Sequence, residues 1–350
     1  MMMKLLRRLN VLLVTILFGV VLSGCLEDTQ FGDAQLQPRA VTDMAGQQVT
    51  LPESVERYAV AWAAISDITA MFDGTEHLVA YPEKSLSFSL YQETYPDLKD
   101  IICLSNEGIS VETILESGAQ VVFLKGSDDT VLVEKLRACG IAVIDCEFKN
   151  YDQLKTVVRL VAEVFGTEEA MTTAEAYCDY LDQAVAEAEA FSGALADDER
   201  KTVLVIKDAT DYSAFGKTRY TGQWAEMCGG NYAMVNEDTY ANVNLTREQL
   251  LEYDPDILFF SMPGQAALFL EDPIWREMTA VKNGDVYNIP SGLNTWSNSG
   301  AESALIFEWA RATMYPERMS YDPDAAVSAY YETFYGLHLT QAQIKGILNP

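Results

Sequence analysis

One short pattern occurs twice in the chain, as "SVETILESGAQVVFL" at residues 110–124 and as "TREQLLEYDPDILFF" at residues 246–260. Each copy opens with a hydroxyl residue, carries glutamates at its third and seventh positions and ends in an apolar run. A Ser or Thr ahead of helically spaced apolar residues is a typical helix N-cap, and Gln249 completes a capping box with Thr246. The apolar run predicts a buried strand. We therefore predict the same helix–strand unit in two lobes of similar build.

Length and charge bound the class of protein. The 350 residues suffice for about two domains, and a hydrophobic content of 49% supplies large cores. The formal net charge is −28 at pH 7, which opposes association with nucleic acid and with anionic lipid head groups. We expect no nucleic-acid partner.

Residues 1–24 are predicted to be a signal peptide, because Lys4, Arg7 and Arg8 precede a short apolar stretch that ends at "LSGC". The small residues before Cys25 resemble the bacterial lipoprotein box, which implies cleavage before Cys25 and lipidation of its thiol. A plain signal peptide or a short membrane anchor is the alternative, although the stretch is short for a spanning helix of about 20 residues. Residues 25–40 are polar and patternless, and we expect a tether there.

Strand and helix patterns alternate over residues 41–148 and again over residues 200–350. Such alternation favours a mostly parallel sheet in each segment. Residues 149–199 are helical, and "TEEAMTTAEAYCDYLDQAVAEAEAFSG" has the apolar spacing of one long helix. We therefore predict an α/β fold with an N-terminal and a C-terminal lobe, each doubly wound and Rossmann-like, joined by a single long helix.

Cysteine and histidine give no pattern for a metal or a catalytic centre. Apart from Cys25, five cysteines remain at irregular spacing, which fits buried free thiols better than a disulfide framework or a zinc site. A disulfide between Cys139 and Cys146 is the alternative for that pair. The two histidines, His77 and His338, form neither a metal cluster nor a Ser-His-Asp set. We expect no catalytic residues and no metal held by the protein itself.

Six segments, in order, resemble the substrate-binding lipoproteins of bacterial ABC importers for ferric siderophores, haem and cobalamin: "TDMAGQQVTLPESVERYAV", "GISVETILESGAQVVF", "EMCGGNYAM", "TREQLLEYDPDILFF", "DPIWREMTAVKNGDVYNIP" and "WARATMYPE". The resemblance covers residues 41–318, most of the chain that follows the signal peptide, and implies the class III binding-protein architecture. It also implies a monomer, lipid-anchored on the extracytoplasmic face of the cell membrane, that passes its ligand to a permease dimer with its ATPase.

In that family each lobe carries a surface glutamate that pairs with permease arginines, and the matching residues here are Glu112 and Glu248. Read locally, each is a first-turn acid that stabilises a helix N-terminus by about 0.3–1 kcal/mol. The two roles are compatible, because an acid at a helix start is exposed and can also meet a partner.

Ligands of parallel sheets lie beyond the carboxyl ends of the strands, so we expect the site between those edges of the two lobes. The residues that follow predicted strands are Trp62, Tyr81, Glu83, Lys84, Asn106, Lys125 and Ser127, then Lys207, residues 215–220, Ser261, Met262, Asn294 and Trp296. In "FGKTRY", Lys217 and Arg219 stand beside Phe215 and Tyr220 at a helix start, which suits a planar, anionic, oxygen-rich ligand, although an ordinary solvated loop is the alternative. The resemblance gives Trp296 an aromatic contact with ligand; packing under the last helix is its other reading.

We expect capture of a ferric siderophore or similar metal chelate, with a corrinoid second, haem third and oxyanions open. Haem would need axial ligands such as Tyr81, Tyr220 or Met262. Any iron or cobalt would come with the ligand, and no resident cofactor is expected. An enzyme on the same scaffold would need a convergent catalytic set, and none is found. A surface sensor or adhesin lipoprotein is a further alternative.

Overall fold

Two mainly parallel sheets, separated along the chain by two long helices, form the body of the computed structural model. It describes residues 39–105, 109–126, 129–234, 239–297 and 300–350. These residues belong to one compact unit, Pro38–Pro350. Cys25, Asn106 and Ser127 lie outside the described residues.

The first sheet is parallel, with strand order β5-β4-β3-β6-β7, and a small antiparallel hairpin precedes it in the chain. The hairpin strands are β1 (Ala40–Thr42) and β2 (Gln48–Thr50), and the sheet strands are β3 (Tyr58–Val60), β4 (Leu78–Pro82), β5 (Ile102–Leu104), β6 (Val121–Leu124) and β7 (Ala142–Asp145). The accompanying helices are α1 (Ser66–Asp73), α2 (Ser89–Thr94), α3 (Val111–Ser117) and α4 (Thr130–Ala138).

Two consecutive helices, α5 (Tyr151–Phe165) and α6 (Glu168–Gly193), connect the sheets. Gly166 ends α5 in the left-handed conformation, and the Thr167 hydroxyl accepts from the Ala170 N–H to begin α6. The 26 residues of α6 span about 39 Å, as the predicted long helix requires.

The second sheet has the order β11-β9-β8-β12-β13, with β10 paired to β8. Its strands are β8 (Thr202–Asp208), β9 (Ser213–Ala214), β10 (Asn231–Tyr232), β11 (Val243–Asn244), β12 (Ile257–Phe260) and β13 (Val286–Asn288). The helices are α7 (Tyr220–Met227), α8 (Arg247–Tyr253), α9 (Gln265–Glu271), α10 (Thr279–Asn283), α11 (Ile306–Met314), α12 (Pro323–Tyr335) and α13 (Gln341–Leu348). The predicted two-lobed α/β fold is confirmed.

The repeated pattern occupies the same place in both sheets. In the first, α3 leads into β6, which pairs with β3; in the second, α8 leads into β12, which pairs with β8. Ser110 accepts from the N–H of Thr113, and Thr246 forms the predicted capping box with Gln249. The helix–strand repeat is therefore confirmed as structure.

The last long helix returns to the first lobe. Although α12 follows the second sheet in the chain, it packs against α1. The hydroxyls of Tyr177 on α6 and Tyr330 on α12 both donate to the Ala301 carbonyl, at 2.9 and 2.8 Å. The two lobes are thus joined by α12 as well as by α6.

Candidate ligand-binding cleft

A cavity of about 530 Å³ lies where the carboxyl ends of the two sheets face each other. The first lobe contributes residues that follow β3, β4 and β5, among them Trp62, Lys84 and Ser105. The second contributes residues at the ends of β8, β9, β12 and β13, among them Lys207, Phe215, Arg219, Ser261, Met262, Asn294 and Thr295. This placement follows from parallel strands, whose carboxyl ends share one edge of each sheet.

The cleft is cationic. The first lobe contributes Lys84 and the second Lys207, and both lysines are exposed residues that line the cavity. Burial by the cleft walls lowers the pKa of Lys84, and the charge of Lys207 lowers it further. Among the described residues neither lysine forms an ion pair with a carboxylate. Asp129, the acid in the lining, accepts from the Leu132 N–H as the N-cap of α4.

Arg219 is held in place by neutral groups. Its guanidinium lies 5.3 Å from the ring centroid of Phe215 and 5.1 Å from that of Tyr240. It also donates to Asn242 Oδ1 at 3.2 Å. An arginine positioned by aromatic rings and an amide keeps its charge available to an anionic ligand.

Hydroxyls of the second lobe form a small network at the cleft wall. Ser261 Oγ lies 2.6 Å from Ser297 Oγ, and Thr295 Oγ1 donates to the Ser261 carbonyl at 3.1 Å. On the opposite wall, Trp62 packs against Phe148 with centroids 5.2 Å apart. The cavity therefore combines cations, hydroxyls and one indole face.

Eight of the residues predicted for the site line this cavity: Trp62, Lys84, Lys207, Phe215, Arg219, Ser261, Met262 and Asn294. Their contact with a ligand stays a prediction. Tyr81 and Lys125 also follow strands but are not among the described lining residues. Asn106 lies outside the described part of the chain.

Three predicted contacts are placed elsewhere. Lys217 forms an ion pair with Glu226 of α7, with 3.0 Å between Nζ and Oε1. Tyr220 is 1% exposed and donates its hydroxyl to the Asn150 carbonyl, because it is the first residue of α7 and faces the core. Trp296 is 0% exposed, in agreement with its packing reading. Neither buried ring offers a surface to a ligand.

Sequence reasoning missed Ser105, Asn242 and Thr295. Asn242 precedes the two-residue strand β11, which exists only through its pairing with β9, so no local pattern marked it. Thr295 lies beside the predicted Asn294, and the polar run "SGLNTWSNSG" was the signal that could have included it.

No group of three or more His, Cys, Asp or Glu side chains in the described segments is arranged to hold a metal ion. The five cysteines described, Cys139 and Cys146 included, are free thiols. His77 bonds Asp73, which raises its pKa, and it lies outside the cleft lining. Within the same segments, no helix has the length and apolar content that crossing a membrane requires.

Known proteins share this architecture. The molybdate-binding protein MolA of Haemophilus influenzae is 24% identical over 330 residues, which cover 86% of this chain and 92% of MolA. Its molybdate-bound structure has a TM-score of 0.77 at 21% identity, covering 86% of this chain and 99% of that one. A periplasmic solute binding protein from Veillonella parvula has a TM-score of 0.79 at 22% identity, covering 89% and 97% of the two chains.

A shorter match, 34% identical over 104 residues, links 29% of this chain to 32% of the Fe(3+)-citrate-binding protein YfmC of Bacillus subtilis. A family model described as "Periplasmic binding protein" matches residues 59–293. These residues include both sheets and most of the cleft. The chain therefore belongs to the periplasmic binding proteins, the extracytoplasmic solute-binding components of ABC importers, and it is a binding protein rather than an enzyme.

Proposed function

We propose that the cleft captures an anionic metal chelate, a ferric siderophore of the hydroxycarboxylate class, and delivers it to an ABC permease. The observation that carries this proposal is the pair Lys84 and Lys207, one from each lobe, which line a single cavity and form no ion pair with a carboxylate among the described residues. Two ammonium groups held near each other repel, and an anion between them would relieve the repulsion. Arg219 adds a planar fork suited to a carboxylate.

The size of the cavity favours a chelate over a single small ion. About 530 Å³ lies within the range of sites that enclose drug-sized ligands. A carboxylate chelate of iron could contact both lysines and Arg219 at once, whereas one tetrahedral anion would fill a small part of the space. The sequence shared with the Fe(3+)-citrate-binding protein YfmC supports the same ligand class.

A molybdate-type oxyanion is the second candidate. The similarity to MolA extends over 86% of this chain, and the hydroxyls of Ser261 and Thr295 beside Lys207 could bind such an ion. Haem is a weaker candidate than these two ligands, since Tyr220 is buried and Met262 is the one predicted axial ligand that lines the cavity. Nothing in the cleft favours a corrinoid over these ligands.

The test is calorimetric titration of the purified protein with ferric citrate, sodium molybdate, cyanocobalamin and haemin. We expect ferric citrate to bind, with quenching of Trp62 fluorescence that Trp62→Phe removes. Lys84→Gln and Lys207→Gln should each weaken binding about tenfold, since each removes a charge-assisted contact. Lys282→Gln is the matched control, because Lys282 is an exposed lysine paired with Glu277 away from the cleft.

Two results would reject this proposal. Tighter binding of molybdate than of ferric citrate would establish the second candidate. An unchanged ferric citrate affinity in both cleft lysine variants would remove those lysines from the site.

We also propose that α3 and α8 dock onto the permease. Glu112 and Glu248 are exposed in the first turns of these helices. Three residues further along, Leu115 and Leu251 are exposed by 43% and 38%, on the same helix face as the glutamates. Equivalent helices in the two lobes thus present an acid beside an exposed leucine, which suits a partner with paired basic and apolar positions.

We further propose that the protein is anchored through a lipid on Cys25. The sequence signal rests on "LSGC", and the tether at residues 25–40 would separate the fold from the membrane. Cys25→Ser should leave the precursor unprocessed or shift the mature protein from the membrane fraction to the soluble fraction. Ser23→Ala, which keeps a small residue in the same segment, should retain membrane association. Normal processing and membrane retention of Cys25→Ser would contradict the anchor.

A further inference from the structure

Two acids lie buried behind the cleft wall where the lobes meet. Asp67 on α1 and Glu302, which follows the second-lobe loop at residues 292–297 in the chain, are both 0% exposed. The Glu302 carboxylate accepts from the backbone N–H groups of Gly292, Leu293 and Asn294, at 3.2, 2.7 and 3.1 Å. It also accepts from the Tyr331 hydroxyl of α12. Four donors thus converge on one carboxylate.

Asp67 extends this arrangement to the first lobe. It accepts from the Glu302 N–H at 3.2 Å and from the side-chain amide of Asn294. Asn294 therefore contacts both acids, one through its backbone and one through its amide, and it also lines the ligand cavity. The chain from Asp67 through Asn294 to Glu302 connects the first lobe to the cleft wall of the second.

Two glycines make the close approach feasible. A Cβ at Gly292 would overlap the Tyr331 hydroxyl, and one at Gly300 would lie 2.7 Å from Asp67 Oδ2. Gly300 also has φ of +147°, which disfavours a side chain there. The loop is therefore shaped around the two carboxyl groups.

The groups that face the pair are uncharged tyrosines: Tyr177 from α6, Tyr91 from α2, Tyr95 just after α2, and Tyr330, Tyr331 and Tyr335 from α12. Neither acid has a cationic partner among the ion pairs of the described residues. Burial raises the pKa of Asp67 to about 7, and burial together with the charge of Asp67 raises that of Glu302 to about 8. Such a buried pair is costly to a fold that needs only packing at this point.

We infer that Glu302 is a positioning residue that holds the cleft-lining backbone at residues 292–295, and that Asp67 ties this backbone to the first lobe. In this arrangement the backbone that carries Asn294 and Thr295 is fixed in position, because the Glu302 carboxyl group accepts hydrogen bonds from three consecutive backbone N–H groups. The role deepens the proposed ligand binding and rests on it for the affinity readout, but the effect on the loop can be measured without ligand.

The test compares hydrogen exchange in the peptide covering residues 290–297 of the ligand-free protein with ferric citrate affinity. Above about pH 8, where Glu302 is ionised, Glu302→Gln keeps the shape but replaces an acceptor oxygen with an amide N–H₂ that faces the same donors, so exchange at 292–294 should accelerate about tenfold and affinity should fall by a similar factor. Asp67→Asn should accelerate the same peptide less. Asp43→Asn is the matched control, because Asp43 is a buried acid of the β1–β2 turn, paired with Arg137 and outside the cleft lining.

The inference would be overturned if Glu302→Gln leaves the exchange rate at residues 292–294 at its value in the unmutated protein. It would also be overturned if Asp43→Asn raises that rate as much as Glu302→Gln does. Faster exchange with unchanged ferric citrate affinity would overturn the role in ligand binding. If Glu302→Gln fails to fold, Tyr331→Phe removes one donor alone and should give a smaller acceleration of the same peptide. Should the unmutated protein bind no ferric citrate, the ligand proposal falls, while the exchange data still decide the positioning role.

Discussion

At the scale of single residues, the cleft is dominated by like charge. Lys84 and Lys207 come from different lobes, and each lowers the cost of binding an anion while raising the cost of an empty site. Burial is the larger cause of the lowered pKa of Lys84, and Lys207 the smaller. The two causes can be separated by mutation, because a neutral side chain at residue 207 removes the charge and leaves the walls in place.

Lys207→Gln should therefore raise the pKa of Lys84 in the ligand-free protein, while leaving it below the value of an ordinary lysine. Lys84 should stay charged to higher pH in the variant, since its proton is no longer repelled. NMR titration of isotopically methylated lysines measures this shift, with Lys201→Gln, at an exposed lysine just before β8, as the control. A pKa for Lys84 that is the same with and without Lys207 would show that the ammonium groups do not interact.

Much of the cleft was predictable from the sequence, since the carboxyl ends of parallel strands must face the ligand. That rule found Lys84, Arg219 and Met262. It also selected Tyr220 and Trp296, whose side chains are buried, because the rule gives a residue's place along the strand but not the direction of its side chain. Asp67 and Glu302 were also out of reach, since they meet only through contacts between distant parts of the chain.

At the scale of elements, the repeated helix–strand unit shows how local signals fix structure. The caps at Ser110 and Thr246 and the apolar runs of β6 and β12 are local, and they were predicted correctly. The short strands β9 and β11 were not, because strands of two residues exist only through their partners. What local signals leave undecided is why both copies expose a glutamate and a leucine together.

Glu112→Arg combined with Glu248→Arg should abolish ligand uptake by cells or proteoliposomes. Like charge would then face the basic positions expected on the permease, which costs several kcal/mol, on the order of 2–5. Ligand affinity and melting temperature should change little, since exposed substitutions usually stay within about 0.5 kcal/mol.

Glu168→Arg with Glu169→Arg is the control for this docking test, because it makes the same charge change in the first turn of α6. Uptake should persist there. Undiminished uptake in the Glu112 and Glu248 variant would mean that these acids only stabilise the helices in which they lie. That result would favour a sensor or adhesin role.

At the scale of the whole molecule, the buried acids make stability depend on pH. The native protein binds protons on Asp67 and Glu302 that the unfolded chain has already released, because the folded pKa values are raised to about 7 and about 8. Their contribution to stability is full at acidic pH and is lost as pH rises through those values.

The melting temperature should therefore fall between about pH 5 and pH 8, and Glu302→Gln should have a shallower fall over the same range. Differential scanning calorimetry at constant ionic strength measures both slopes. Asp43→Asn, which removes a buried acid outside this pair, is the control for the loss of a buried carboxyl group. Parallel slopes in the Glu302→Gln and unmutated proteins would show that the pair does not titrate in this range.

The return of α12 to α1 has a consequence for how the protein is made. Ile65 and Ile68 of the first lobe, and Val327 and Tyr331 of α12, are all fully buried in one continuous core. Because synthesis proceeds from the N-terminus, the first sheet can form early. The apolar surface around α1 stays uncovered until α12, near the C-terminus, has been made. Contacts of such sequence separation form slowly, and nascent chains with open apolar surface are prone to aggregate. The first lobe therefore completes its core only when the C-terminal part of the chain is present.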